Sequence, residues 1–296
     1  VQELDEEASP DDMDPAEILD EAKAAEDAGE KDTAAKLYNA AGNIYMSVAE
    51  YEEARPCFEK SLAIYKELND DNGISDTTYN LGVAQINLEA WDDAVRTLKT
   101  AMSLFTKLKN QDGSADASYG LALATLGKGE FDAAVDLFGQ AQKAYKKAEN
   151  DQGVASTIMD LGSAYADKED FETAEKIFKK ALALYREIDD KAGIADALSL
   201  LGDIAETRNN QKKAAECFVE ASQCYLEAEI FDIAREVLDR AEQKMWDVPK
   251  ATRRRLRKDI DDIRDALPED IESEEDEDED EDEEFDEDLL EFTDHE

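Results

Sequence analysis

Shifted against itself by 40 residues, the chain realigns on the same residue types through five successive units, and no insertion breaks the register. Gly42, Gly82, Gly162 and Gly202 share one slot, with Ala122 in the place between them. Twelve residues later comes alanine, at Ala54, Ala94, Ala134, Ala174 and Ala214. Sixteen later stands a large apolar residue (Phe58, Leu98, Phe138, Phe178, Phe218) and nineteen later a small one (Ser61, Ala101, Ala141, Ala181, Ala221). An aromatic follows at Tyr65, Phe105, Tyr145, Tyr185 and Tyr225. A fixed period of this length is the signature of a repeat architecture.

Within each unit apolar residues recur at spacings of three and four, which predicts two helices, as over 74–88 and 91–109. A single hairpin cannot cover its own apolar face. The units must therefore stack, and the predicted fold is all-α, a superhelical solenoid of antiparallel helix hairpins. Small residues such as Gly82 against Ala94 let paired helices approach, while Leu98 and Phe105 fill space that the next unit closes. Gly73, Gly113, Gly153 and Gly193 end Asn- or Asp-containing segments. They are expected to stop helices in the left-handed conformation that glycine enters freely.

Charge and composition narrow the function. The 296 residues carry 33 basic and 77 acidic side chains, a net charge of −44, with 42% hydrophobic residues, enough for a sizeable core. Positions 269–296 hold 20 carboxylates and no Lys or Arg, and positions 1–268 still carry −24. Such a surface repels phosphate backbones and anionic lipid, so nucleic acid is not expected as the main partner and basic proteins are. The single histidine, His295, lies in the acidic segment, which leaves no Ser-His-Asp or Cys-His machinery and no His-rich zinc site for a folded core. No phosphate-binding glycine loop is present. The chain is expected to be non-catalytic and to need no cofactor or metal. No apolar run approaches the ~18 residues that span a bilayer, and the amino end is acidic, unlike an export signal. A soluble, cytoplasmic protein without membrane insertion is the expectation. Cys217 and Cys224 would lie about 10 Å apart along one helix, beyond disulfide reach of roughly 7 Å, so these and Cys57 read as reduced thiols.

The flanks differ from the repeats. Residues 1–14 read as an acidic disordered start. Residues 15–31 read as an N-terminal capping helix opened by Asp14 and Pro15 and ending near Gly29, or as the first helix of a sixth, amino-terminal pair with 32–48 as its second, the register left open. Residues 32–229 are the five repeats. Residues 230–267 read as C-terminal capping helices interrupted at Pro249, the second bearing a basic cluster from Arg253 to Lys258. Residues 268–296 cannot bury enough apolar surface to offset chain entropy and are predicted to be a disordered acidic tail. Within it Phe285, Leu289, Leu290 and Phe292 alternate with carboxylates, as in short interaction segments. That tail motif either docks a basic protein or this chain's own Arg253–Lys258 helix, or is only solubilising.

The order Asn80-Leu81-Gly82, Trp91-Asp92-Asp93-Ala94, Leu98 and Ala101 resembles the tetratricopeptide repeat (TPR). The units here are longer than the usual ~34 residues, and such elongated units resemble those of G-protein-signalling modulator scaffolds and kinesin light chains. The early tryptophan position is instead Thr78, Ser118, Ile158 and Leu198, and the closing proline is missing. The stretch from Ala34 through Tyr45 is also similar, more weakly, to the soluble NSF attachment proteins.

The TPR resemblance implies that the first helix of each unit lines a concave groove where partners bind. It implies Lys36, Asn39, Asn43 and Met46 in the first unit, and Asp76, Tyr79, Asn80, Val83, Ile86 and Asn87 in the second. Asp116, Tyr119, Leu123 and Leu126 follow in the third, Ser156, Met159, Ser163 and Asp167 in the fourth, and Asp196, Ser199, Asp203 and Glu206 in the fifth. The basic clamp with which some cochaperones of the family hold a carboxylate terminus is absent, its slots being Asp116 and Gly120. Asp76, Asp116 and Asp196 would form an acidic wall, and Tyr79, Val83, Ile86, Tyr119, Leu123 and Leu126 an apolar middle able to take an anchor. The repeated aromatics Tyr65 to Tyr225 read as interhelix packing. The expected function is a protein-interaction scaffold that holds a basic or amphipathic segment. An acidic chaperone of basic proteins working through the tail, and an attachment-protein-like adaptor that stimulates an ATPase, are the alternatives.

Overall fold

The computed structural model describes residues 14–268. The 1–13 segment and the Phe285, Leu289, Leu290 and Phe292 motif lie outside the described residues. Thirteen helices follow one another among those described. A first helix α1 (Pro15–Asp27) precedes five hairpins: α2 (Lys31–Ser47) with α3 (Tyr51–Leu68), α4 (Asp71–Asn87) with α5 (Trp91–Leu108), α6 (Gln111–Gly127) with α7 (Phe131–Lys147), α8 (Asp151–Asp167) with α9 (Phe171–Glu187), and α10 (Lys191–Thr207) with α11 (Gln211–Glu227). Two more, α12 (Phe231–Met245) and α13 (Lys250–Ala266), end the array. Each helix packs on its sequence neighbours, as a solenoid requires. None of the described helices is long and apolar enough to cross a membrane.

The joints between helices recur at a constant interval, half the repeat. At positions 29, 49, 69, 89, 109, 129, 149, 169, 189, 209 and 229 one residue takes positive φ. The residue after it commonly donates its N–H to a carbonyl five back, as Glu50 to Tyr45 at 2.8 Å and Asn110 to Phe105 at 2.9 Å. This is the Schellman arrangement, which satisfies the last carbonyls of one helix. Only Gly29 and Gly129 among these eleven are glycine; the other nine have a Cβ.

The second set of glycines therefore has a different role from the one expected. Gly73, Gly113, Gly153 and Gly193 do not stop a helix; each lies in the first turn of the next one. Their backbone N–H groups donate to the capping side chains Asp70, Asn110, Asn150 and Asp190 at 3.2, 2.9, 2.7 and 2.9 Å. A side chain is excluded because the ring of Tyr65, Phe105, Tyr145 or Tyr185 occupies its place, 2.3–2.5 Å from an added Cβ.

Gly42, Gly82, Gly162 and Gly202 admit the large residue of the paired helix. An added Cβ would meet Phe58, Leu98, Phe178 or Phe218 at 2.4–2.7 Å, so Gly82 makes room for the Leu98 side chain. These four partners, with Phe138 opposite the Ala122 slot, are fully buried. At the carboxyl end α13 lies across α11 and α12 and buries Leu256, Ile260 and Ile263 with Val237, Leu238 and Met245. At the amino end α1 keeps the spacing of a second helix, because Gly29 stands one full repeat before the left-handed Asn69. The three cysteines are free thiols.

Candidate functional site

First helices of successive units touch directly, α2 with α4, α4 with α6 and α6 with α8, which places them on the inner side of the array. The residues expected on the groove fall into four environments along this face.

At the amino-terminal end Asn80 Nδ2 donates to Oδ1 of both Asn39 and Asn43 at 3.2 Å, a polar clasp between α2 and α4. Asp76 is exposed, yet local burial and the nearby Asp70 push its carboxyl above the ordinary value. Asn87 is exposed and turns back to the Val83 carbonyl at 3.0 Å.

The apolar middle is not an open wall. Tyr79 packs edge-on to Phe105 with centroids 6.4 Å apart, and burial pushes its hydroxyl up to about 12. Ile86 packs with Leu98 and Leu121, while Leu123 and Leu126 pack onto Ala134 and Phe138. These side chains, with Val83, are half-buried, and Tyr79, Ile86, Leu123 and Leu126 pack largely onto the second helix of their own hairpin.

The third environment is an open pocket of about 460 Å³ across α6, α8 and α10. It gathers Tyr119, Ser156, Met159, Ser163, Asp196 and Ser199, all expected on the inner face, and adds Asp160, Tyr185, Leu200 and Tyr225. Tyrosines of the second helices reach into this face. Tyr145 donates to Asp116 at 2.7 Å, Tyr225 donates to Asp196 at 2.5 Å, and the Tyr185 hydroxyl lies 3.4 Å from Ser156 Oγ. Packing is half of the role of these aromatics: the Tyr145 and Tyr185 rings pack on Gly153 and Gly193, and the hydroxyls of Tyr145, Tyr185 and Tyr225 address the residue 29 positions earlier. Asp76 has no such donor, because Phe105 stands opposite. Asp160 accepts from the Tyr119 hydroxyl.

Burial raises the carboxyls of both Asp116 and Asp160, with the tyrosine hydrogen bonds opposing it in part. The tyrosine hydroxyls are pushed up in turn by burial and by the carboxylates they serve. Among the described residues no Lys or Arg forms an ion pair with Asp116, Asp160 or Asp196. The pocket thus presents one partly desolvated carboxylate, Asp160, beside the exposed Asp196, and each accepts a tyrosine hydroxyl and no cation among the described residues.

In the fourth environment the acid is already taken. Asp203 pairs with Arg240 of α12, which also lies over the Phe218 ring at 4.2 Å, and Glu206 pairs with Lys244. Asp203 is therefore not free for a basic partner, contrary to the expectation. Asp167, the last residue of α8, is exposed. Asp160 escaped the sequence reading because its slot holds Ala40, Asn80, Gly120 and Leu200 elsewhere, so no period marks it. The tyrosines carried a signal, the constant spacing of Asp116 to Tyr145 and of Asp196 to Tyr225. Among the described residues no three His, Cys, Asp or Glu side chains converge as metal ligands would.

Comparison with known proteins places this architecture. The tetratricopeptide repeat family matches residues 153–227, and the soluble NSF attachment protein (SNAP) family matches residues 24–185, more than half the chain. No curated protein sequence matches it. Among solved structures the chain is similar to BtubC (BKLC) from P. vanneervenii, with a TM-score of 0.59 at 18% identity over 73% of this chain and 89% of that one. A Rap conjugation gene regulator of the plasmid pLS20, in complex with the Phr* peptide, gives 0.53 at 14% identity over 89% and 80%. A signal transduction ATPase with numerous domains and a tetratricopeptide repeat sensor, from Pyrococcus horikoshii, gives 0.57 at 16% over 87% and 42%. The repeat period, the paired helices and the extent of the family match agree: the chain is a tetratricopeptide-type solenoid and belongs to the soluble NSF attachment protein family.

Proposed function

We propose that this protein is a non-catalytic interaction scaffold that holds a basic or amphipathic protein segment along the inner face of its solenoid. The observation that carries the reading is the pocket across α6, α8 and α10, where Asp160 and Asp196 stand among tyrosine hydroxyls without a cation. Burying a carboxylate away from water is unfavourable unless it is paired. A lysine or arginine side chain from a partner would complete that pairing, and the neighbouring row of acids would speed encounter. The pLS20 regulator, which shares the fold, is seen with a peptide bound.

The test is binding of a basic peptide array to the purified chain and to Asp116→Asn, Asp160→Asn and Asp196→Asn. Each substitution is expected to weaken the best binder about tenfold. Asp203→Asn should have little effect, since Arg240 already neutralises that site. Unchanged binding across the first three would move the site off the inner face. A second reading is favoured by the match over residues 24–185, whose family is named for attachment to NSF. In it the scaffold presents its cargo to an ATPase of that type, and the measurement is ATP turnover by such an ATPase with and without the chain.

A further inference from the structure

The strongest departure from the molecule's own charge is at its carboxyl end. Residues 246–258 hold six cations, Lys250, Arg253, Arg254, Arg255, Arg257 and Lys258, against one acid, Asp247, in a chain of net charge −44. They crowd the amino-terminal half of α13, the end where the helix dipole already disfavours positive charge. Helices α1 to α9 each open with an acid in the first turn, whereas α13 has none there and no side-chain cap.

Beside these cations sits Trp246, which is 52% exposed. The Arg253 and Arg257 guanidinium groups lie 5.5 and 5.1 Å from its ring centroid. Arg253 is anchored by donating to the Trp246 and Val248 carbonyls at 2.6 and 3.1 Å. Arg255 is paired with Glu216 and Lys258 with Asp262. Lys250, Arg254 and Arg257 form no ion pair among the described residues. The result is an aromatic plate rimmed by unneutralised cations.

We propose that this plate is the docking surface for the chain's own 269–296 segment, whose apolar residues Phe285, Leu289, Leu290 and Phe292 cover Trp246 while flanking carboxylates meet Lys250, Arg254 and Arg257. The charges are complementary, with 20 carboxylates and no Lys or Arg in the segment. The reach is ample: Arg257 lies ~16 Å along the helix from Pro268, and the chain from Pro268 to Phe285 extends up to ~60 Å. A short tether gives an effective concentration in the millimolar range, so even weak contacts hold the segment in place. The contact is independent of the groove proposed above and keeps the basic plate from foreign anions.

In the full chain carrying Trp91→Phe, the residue that already stands at 131 and 171, Trp246 is the sole tryptophan. Acrylamide quenching then reads the cover on its ring. The quenching constant is expected to rise about twofold in about 1 M NaCl, where attraction over more than ~3 Å is screened. It should rise by the same factor when Phe285, Leu289, Leu290 and Phe292 are changed together to serine, and in Arg254→Glu/Arg257→Glu. The serine variant alters no described residue, so it decides the matter even where the arginine variant folds poorly. Quenching that ignores both salt and the serine changes overturns the proposal. So does protection that grows with protein concentration, which would assign the cover to a second copy, and so does binding of duplex DNA or phosphatidylserine vesicles by the full chain at physiological salt.

Discussion

A residue with a Cβ in the left-handed region is strained by roughly 1–2 kcal/mol, and nine of the eleven joints accept that strain. Glu169→Gly, at a joint closed by the Schellman bonds, is predicted to raise stability by about 0.5–1 kcal/mol in urea unfolding. Gly129→Ala should lower it by about 1 kcal/mol, although nothing lies within 4 Å of the added Cβ. Asp160 carries strain of another kind. Burial holds its carboxyl above the ordinary value, so the folded chain keeps that proton to higher pH than the unfolded one. The contribution to stability is therefore full in acid and is lost as pH rises from the unfolded value of about 3.9 through the folded one. Asp160→Asn is predicted to melt above the parent at neutral pH, with the gap narrowing toward pH 4; a lower melting point at neutral pH would contradict this. Glu175 behaves oppositely. Lys213 and Lys179 hold its carboxyl at about 2, so its contribution is full above about 4.5 and is lost as pH falls through about 2.

At the scale of the element, the helix termini and one proline set the balance. Asn110 caps α6, and Asn110→Ala is expected to destabilise the chain by about 1 kcal/mol. Pro56 lies inside α3, where Arg96, Asp136, Lys176 and Glu216 hold the same place in the other units. It has no N–H for the Glu52 carbonyl, so Pro56→Ala should raise the melting point, by up to about 3 kcal/mol in stability. Helices, their pairing and their order were legible because one register repeats every buried contact, from Gly42 against Phe58 to Gly202 against Phe218. The start of a helix was mistaken for its stop at Gly73 and its equivalents for a physical reason. A glycine next to Asn or Asp serves a left-handed C-terminus or a crowded N-terminus equally well, and only the position of the Tyr65 ring distinguishes them. The inner face was legible as a set of positions, whereas Asp160 and the Asp203–Arg240 pair depend on what the neighbouring units carry, Tyr119 of α6 and Arg240 of α12, which no period reports.

At the scale of the whole molecule, the helix contacts among the described residues run between neighbouring units, so stability is a sum over units and seams. Phe138 is fully buried at the centre of the array. Phe138→Ala is predicted to lower stability by about 3–5 kcal/mol and to split a single unfolding transition into two, resolved by calorimetry. Net charge acts across all units at once. With −24 on positions 1–268, self-repulsion opposes compaction, and the melting point should rise steadily as NaCl is added up to about 0.5 M. A melting point that falls with salt would place the surface ion pairs above this repulsion.

A left-handed residue recurring at every joint from 29 to 229, 20 positions apart, makes the molecule modular. Because each corner turns the chain in the same way whatever side chain occupies it, a block of one hairpin can be duplicated or excised between any two equivalent corners without refitting the remainder. Gene-level lengthening or shortening would then set the length of the inner face, rung by rung, while the helices that close the array stay unchanged.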